Sequence, residues 1–241
     1  MKINLNLKDQ QIDLQSKIIV AMDVPSATEA ISLCDRLPDV SFWKVGLELF
    51  IADGSTILRE LKARNKKIFL DLKLHDIPNT VASACRVVTK YGADFLTIHA
   101  AGGKAMMQAA QSEVEGSTTQ ILAVSLLTSI SDSVLKSDLQ VSLEVSEYVA
   151  KLVHLAQASG ITGAVCSPHE VTSLRSQLGD DFCFVTPGVR PAGTAASDQS
   201  RVMTPQQAIA AGANYLVIGR PITAASDPVA AWEQICQELR A

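Results

Sequence analysis

Ile68-Phe69-Leu70-Asp71-Leu72-Lys73-Leu74-His75-Asp76-Ile77-Pro78-Asn79-Thr80 passes from a buried strand, through a charged edge, towards a helix that begins near Pro78. The opening run is apolar, and Val81-Ala82-Ser83-Ala84 continues the segment with helical character. Asp71 and Lys73 are two residues apart, so a strand points both to the same face. Asp76 lies just past the strand end. Acid, base and acid therefore collect where a strand meets a loop, and charges there are costly unless paired or used.

Similar apolar runs recur along the chain at spacings of roughly 25–35 residues, with helical patterns between them. The spacing predicts strands at Lys17–Asp23, Phe42–Gly46, Lys67–Leu72, Asp94–Ala100, Ile121–Leu127, Gly163–Ser167, Phe182–Pro187 and Tyr215–Gly219. They are rich in Val, Ile, Leu and Phe and alternate little, as strands covered on both faces do. Helix starts are marked by Ser26-Ala27-Thr28-Glu29, a capping-box pattern, and by Thr204-Pro205 and Asp227-Pro228. Val145, Val149, Leu152, Val153 and Ala156 fall at helical spacing, with Gly160 as the stop. Eight strand–helix units in 241 residues point to an α/β fold, a single (β/α)8 TIM barrel. The alternative, an open doubly wound sheet, usually carries a glycine-rich turn after its first strand. Here that turn is Asp23-Val24-Pro25-Ser26.

One domain over residues 1–241 is expected, with 1–16 a polar N-terminal extension lacking the apolar core of a signal peptide. No apolar run reaches membrane-spanning length. The net charge of −4 and the scattered Lys and Arg argue against a nucleic-acid binder. The five cysteines form no CxxC pair and sit mostly in apolar contexts, which reads as buried free thiols in a reducing cytoplasm.

Barrel chemistry sits at the carboxyl ends of the strands. Those ends offer Asp23, Lys44, Asp71, Lys73 and Asp76, then His99, Thr128-Ser129, Thr186-Pro187-Gly188-Val189-Arg190 and Gly219-Arg220. Strands seven and eight are where many barrels hold phosphate. Gly219 would admit the backbone to an anion, Arg220 is a forked donor, and the loop Pro191–Gln199 could fold over the group. Taken singly, Asp23 and Lys44 also fit a structural ion pair, Asp76 also fits a cap for the helix near Pro78, and the arginines also fit a solvated surface. His99 reads as a core histidine, and His75 is not taken as a site residue.

With these residues in place, the chain resembles the orotidine 5′-phosphate decarboxylases of the bacterial type. Asp71–Thr80 matches the family signature DxKxxDIPNT. Lys44-Val45-Gly46, Leu127-Thr128-Ser129, Thr186–Arg190 and Met203-Thr204-Pro205 support it. The resemblance implies a barrel working as a homodimer, with no metal or organic cofactor, that converts orotidine 5′-monophosphate to uridine 5′-monophosphate and carbon dioxide. It implies that Lys44, Asp71, Lys73 and Asp76 form the catalytic array, with Asp76 from the other subunit. Asp23, Lys44, Asp76, Ile77 and Thr80 would contact the nucleoside, and Thr128 or Ser129 the pyrimidine or ribose. Arg190, Gln199, Gly219 and Arg220 would hold the phosphate. Two enzyme rivals remain: a Mg²⁺-dependent sugar-phosphate enzyme of the same barrel group, and a phosphate-binding barrel isomerase. A third is a non-catalytic nucleotide-binding barrel.

Overall fold

The computed structural model describes residues 14–191 and 203–240. Residues 1–13 of the N-terminal extension, and the loop after Pro191 with Gln199, lie outside the described residues. The strands are β1 (Ile18–Ala21), β2 (Phe42–Val45), β3 (Lys67–Leu74), β4 (Phe95–His99), β5 (Gln120–Val124), β6 (Gly163–Val165), β7 (Cys183–Thr186) and β8 (Tyr215–Ile218). They close in chain order into one parallel barrel, β8 pairing back onto β1 through Ile18–Leu216, Ile19–Val217 and Val20–Ile218. Every anticipated strand is present, and the barrel is the fold.

The lack of alternation has a direct cause. Along β1, Ile19 points into the barrel while Ile18 and Val20 point out to the helices, and all three are fully buried. Both faces are therefore apolar. The barrel interior is plugged by Ile19, Phe42, Phe69, Phe95, Leu122 and Val185, with Tyr215 beside them. Phe95 stands at the centre, its ring centroid 5.2 Å from Phe42, 6.0 Å from Phe69 and 5.2 Å from Tyr215. The outer core, which includes Trp43, Leu58, Leu96 and Met106, seats the helices.

The major helices are α1 (Ala27–Arg36), α2 (Leu47–Ala63), α3 (Pro78–Tyr91), α4 (Gly103–Val114), α5 (Asp132–Ser137), α6 (Val145–Gln157), α7 (Pro168–Leu178), α8 (Pro205–Ala210), α9 (Arg220–Thr223) and α10 (Pro228–Glu238). Ser26 caps α1 by accepting from the Glu29 N–H at 3.2 Å, but Glu29 bonds the Ser26 hydroxyl rather than its backbone, so only half of the box forms. Thr204 and Gln207 complete the reciprocal box at α8. Asp227 caps α10 by accepting from Val229 and Ala230. Gly160, at φ +87°, turns the chain after α6. The five cysteines are free, and burial pushes the thiols of Cys34, Cys85, Cys183 and Cys236 up to about 11. Among the described residues, no helix is long and apolar enough to cross a membrane.

β3 departs from the expectation. It runs to Leu74 rather than Leu72, and it is not a regular strand at its charged end. Pairing with β4 shifts between Leu70–Leu96 and Leu74–Ile98, so four steps on β3 face two on β4. Lys73 sits in the bulge at φ +50°, a left-handed conformation that few side-chain-bearing residues adopt.

Candidate active site

Above the aromatic plug, each strand offers its next inward residue two positions on. Phe42 is followed by Lys44, Phe69 by Asp71 and Phe95 by Thr97. A hydrophobic floor thus carries a polar layer on three adjacent strands. Four charged side chains join there in alternating sign. Asp23 Oδ1 accepts from Lys44 Nζ at 2.8 Å, Lys44 Nζ lies 3.7 Å from Asp71 Oδ2, and Lys73 Nζ donates to that same oxygen at 2.7 Å. Lys44 and Asp71 are each only 9% exposed, whereas Asp23 is open to solvent. Two negative and two positive groups cancel, which is how charges persist in a half-buried site.

Small residues make room for this chain. A Cβ on Gly46 would stand 2.9 Å from Lys44 Nζ and 3.0 Å from Asp23 Oδ1, so any side chain there would push the pair apart. A Cβ on Gly219 would meet the Cβ of Ala21 at 3.3 Å, where β8 closes on β1. Glycine at these two positions lets the strand ends converge.

The charged chain forms one wall of a cleft of about 270 Å³. Asp23, Lys44, Asp71, Lys73, Thr128, Arg190, Gly219 and Arg220 all line it. Ser129 is exposed and outside the lining, which separates it from Thr128. Apolar lining comes from Val124, Leu126, Val165, Cys166 and Val217. These residues were not anticipated, because at a strand end an apolar residue looks the same whether it faces a ligand or a neighbour. Thr97 was missed too. Its signal is the repeated aromatic-x-polar spacing of β2, β3 and β4.

Arg190 is held by an extension of β7. Gly188 takes φ +79°, Met203 N–H donates to Gly188 O at 3.3 Å, and Arg190 N–H donates to Met203 O at 3.0 Å. This short ladder holds the backbone of Arg190, which lines the cleft together with Arg220.

Asp76, Ile77 and Thr80 do not join this constellation within the chain. All three are exposed and none lines the cleft. Asp76 Oδ1 accepts from the adjacent Ile77 N–H at 2.6 Å. Ile77, not Asp76, is the N-cap of α3, and no side chain caps that helix, so the capping alternative for Asp76 is corrected. The histidines are also rearranged. His75 follows the last residue of β3, and its ring centroid lies 5.4 Å from that of His99. His99 is half-buried rather than a core residue. Its pKa lies below the usual histidine value, chiefly through burial, with the charges of His75 and Lys73 acting the same way and Asp71 opposing.

The profile of the orotidine 5′-phosphate decarboxylase / HUMPS family matches residues 16–235. The orotidine 5′-phosphate decarboxylase of Gloeothece citriformis is 59% identical over 228 residues, covering 94% of this chain and 98% of that protein. The Synechocystis protein of the same name is 56% identical, covering 92% and 97%. The crystal structure of orotidine 5′-phosphate decarboxylase from Lactobacillus acidophilus superposes with a TM-score of 0.83 at 41% identity, covering 94% of this chain and all of that one. By its sequence and by its fold, the chain belongs to the orotidine 5′-phosphate decarboxylase / HUMPS family.

Proposed function

We propose that this chain, acting as a single barrel domain in the cytoplasm, converts orotidine 5′-monophosphate to uridine 5′-monophosphate and carbon dioxide in pyrimidine synthesis. The observation that carries the proposal is the alternating chain Asp23–Lys44–Asp71–Lys73, lining one cleft together with apolar side chains and two arginines. The relatives that match nearly the whole chain bear the name of this activity.

The chemistry sets the demand. When the C6–carboxylate bond breaks, carbon dioxide leaves and the electron pair stays on C6, in the ring plane. No adjacent π system absorbs it, so the stabilisation must be electrostatic. An enzyme near the upper end of the range lowers a barrier by ~20 kcal/mol, more than one ion pair supplies, so a preorganised array is needed. In this reading, the Lys73 ammonium lies at C6, stabilises the developing carbanion and then donates its proton there. Asp71, shared by both lysines, holds Lys73 in place and lies near the departing carboxylate. Asp23 and Lys44 take the ribose hydroxyls, Thr128 contacts the nucleoside, and the apolar lining faces the ring.

Gly219, Arg190, Arg220 and Gln199 take the phosphate. That group is remote from C6, so its binding energy can be expressed in the transition state. Asp76, Ile77 and Thr80 complete the site of a partner chain in a homodimer. Their exposure supports this, as does the apolar surface at the rim of β2 and β3, where Leu47 is 49%, Ile51 80% and Ile77 67% exposed.

The test is to follow the absorbance of orotidine 5′-monophosphate with purified protein in excess EDTA. Turnover unaffected by EDTA is expected. No turnover would reject the proposal. Turnover lost in EDTA and restored by Mg²⁺ would favour a sugar-phosphate enzyme's mechanism.

Arg220→Ala separates the phosphate from the rest. Charge-assisted bonds to phosphate are each worth enough that kcat/KM for the nucleotide should fall about 10- to 100-fold. The phosphate-free nucleoside should change by less than about threefold, since in this reading the phosphate is the one part of the substrate that the guanidinium contacts. Equal losses for both substrates would remove Arg220 from the phosphate site.

A further inference from the structure

We propose that Thr97 is a positioning residue of the active site, whose one buried hydroxyl sets both the backbone of Lys73 and the carboxylate of Asp71. The inference rests on the roles of Lys73 and Asp71 proposed above, and assigns a new role to a side chain on the neighbouring strand.

Thr97 is fully buried, the inward residue of β4 directly above Phe95. The Lys73 backbone N–H donates to Thr97 Oγ1 at 2.8 Å, and Thr97 Oγ1 donates to Asp71 Oδ1 at 3.0 Å. The directions are forced. An amide can only donate, so the hydroxyl accepts there and its single proton goes to the carboxylate. Asp71 is thereby divided: Oδ1 faces the hydroxyl, and Oδ2 is left for the two ammonium groups.

The bulge explains why a side chain is needed at this point. Leu70 pairs with Leu96 and Leu74 with Ile98, so Thr97 alone stands opposite the looped-out Asp71, Leu72 and Lys73. No regular ladder can satisfy the Lys73 amide in that geometry, and the Thr97 hydroxyl takes the place of the missing strand carbonyl. Lys73 holds φ +50°, which costs energy for any residue with a Cβ and relaxes unless neighbours over-determine it. The hydroxyl bond is the contact that opposes relaxation. Its loss would let the bulge re-register and move Lys73 Nζ, and a displacement of about 1 Å at a reacting group is enough to cost a large factor in rate.

Three substitutions test this. Thr97→Val keeps the shape and removes the hydroxyl, Thr97→Ser keeps the hydroxyl and removes the methyl, and Thr97→Ala serves if the valine chain does not fold. In Thr97→Val, kcat should fall at least about tenfold while KM stays within about threefold, because the ribose and phosphate contacts are untouched. Thr97→Ser should return kcat to within about threefold of wild type. A readout independent of turnover is amide hydrogen exchange in the ligand-free protein. Exchange of the Lys73 amide should quicken at least about tenfold in the valine variant and not in the serine one, with the Leu96 and Ile121 amides unchanged.

An active wild type with kcat preserved in Thr97→Val would overturn the inference, as would equal losses in the valine and serine variants, which would assign the effect to packing of the methyl. If the wild type did not turn over orotidine 5′-monophosphate, the functional proposal would fail by itself. The exchange measurement would still decide whether Thr97 holds Lys73: unchanged Lys73 exchange in Thr97→Val rejects it.

Discussion

Lys73→Ala is expected to lower kcat for orotidine 5′-monophosphate by more than about a hundredfold, with the barrel still folded. The substitution removes the proton donor and also the cation facing the developing carbanion, two effects that act at the same atom. Binding should suffer less, because Asp23, Lys44 and the arginines keep their places. The structure also bounds the cost in stability. Asp71 loses its closest partner, but Lys44 remains 3.7 Å from Oδ2 and the Thr97 hydroxyl remains 3.0 Å from Oδ1. Lys73 is itself partly exposed, so solvent can enter the vacated space. The fall should be of the order of 1 kcal/mol, a shift in Tm of about 2–4 °C for a chain of this size. Circular dichroism melting and steady-state kinetics on the same preparation check both statements. A variant retaining more than about a hundredth of wild-type kcat would contradict the proton-donor role, given the usual size of general-acid effects.

Activity regained by mixing two nearly dead proteins is the second large effect expected. Within one chain, Asp76 is exposed, bonds its neighbour's backbone N–H, and does not line the cleft that holds Lys73. If Asp76 serves the partner's site, Lys73→Ala and Asp76→Ala homodimers should each be nearly inactive. After subunit exchange, a mixed dimer carries both lesions in one site and none in the other. With random pairing, roughly half of the dimers are mixed and each has one intact site, so about a quarter of wild-type activity should return. Native mass spectrometry of chains carrying a mass difference shows when exchange is complete. Demonstrated exchange with no recovered activity would mean that Asp76 serves its own chain. Capping of α3 no longer competes as an explanation, since Ile77 occupies the cap position without a side-chain bond.

Much of this architecture was legible in the chain because its signals are local. An apolar run of four or five residues between helix caps reads as a strand covered on both faces, whatever lies elsewhere. Eight of them in 241 residues leave few architectures. The caps at Ser26, Thr204 and Asp227 were legible for the same reason, since the bond partner lies within three residues. That Asp23, Lys44, Asp71, Lys73, Thr128, Arg190, Gly219 and Arg220 share one rim also follows once the barrel is assumed, because successive strand ends must meet on one side.

What the local pattern could not reach is how those groups bond. Asp71 and Lys73 were brought together by a period-two argument, yet β3 is bulged there and Lys73 is left-handed. The contact that opposes relaxation of that conformation comes from Thr97, on another strand, through a hydroxyl that resembles any other β-branched residue in a strand. Likewise His75 and His99, on neighbouring strand ends, meet across a sequence gap, and Gly46 matters because two ionised groups, 21 residues apart in sequence, close over the space a Cβ would fill. Local sequence therefore determined the strands, the caps and the rim. The tertiary structure decided the pairings, because a hydrogen bond or an ion pair depends on ångström distances between residues whose separation only the closed barrel sets.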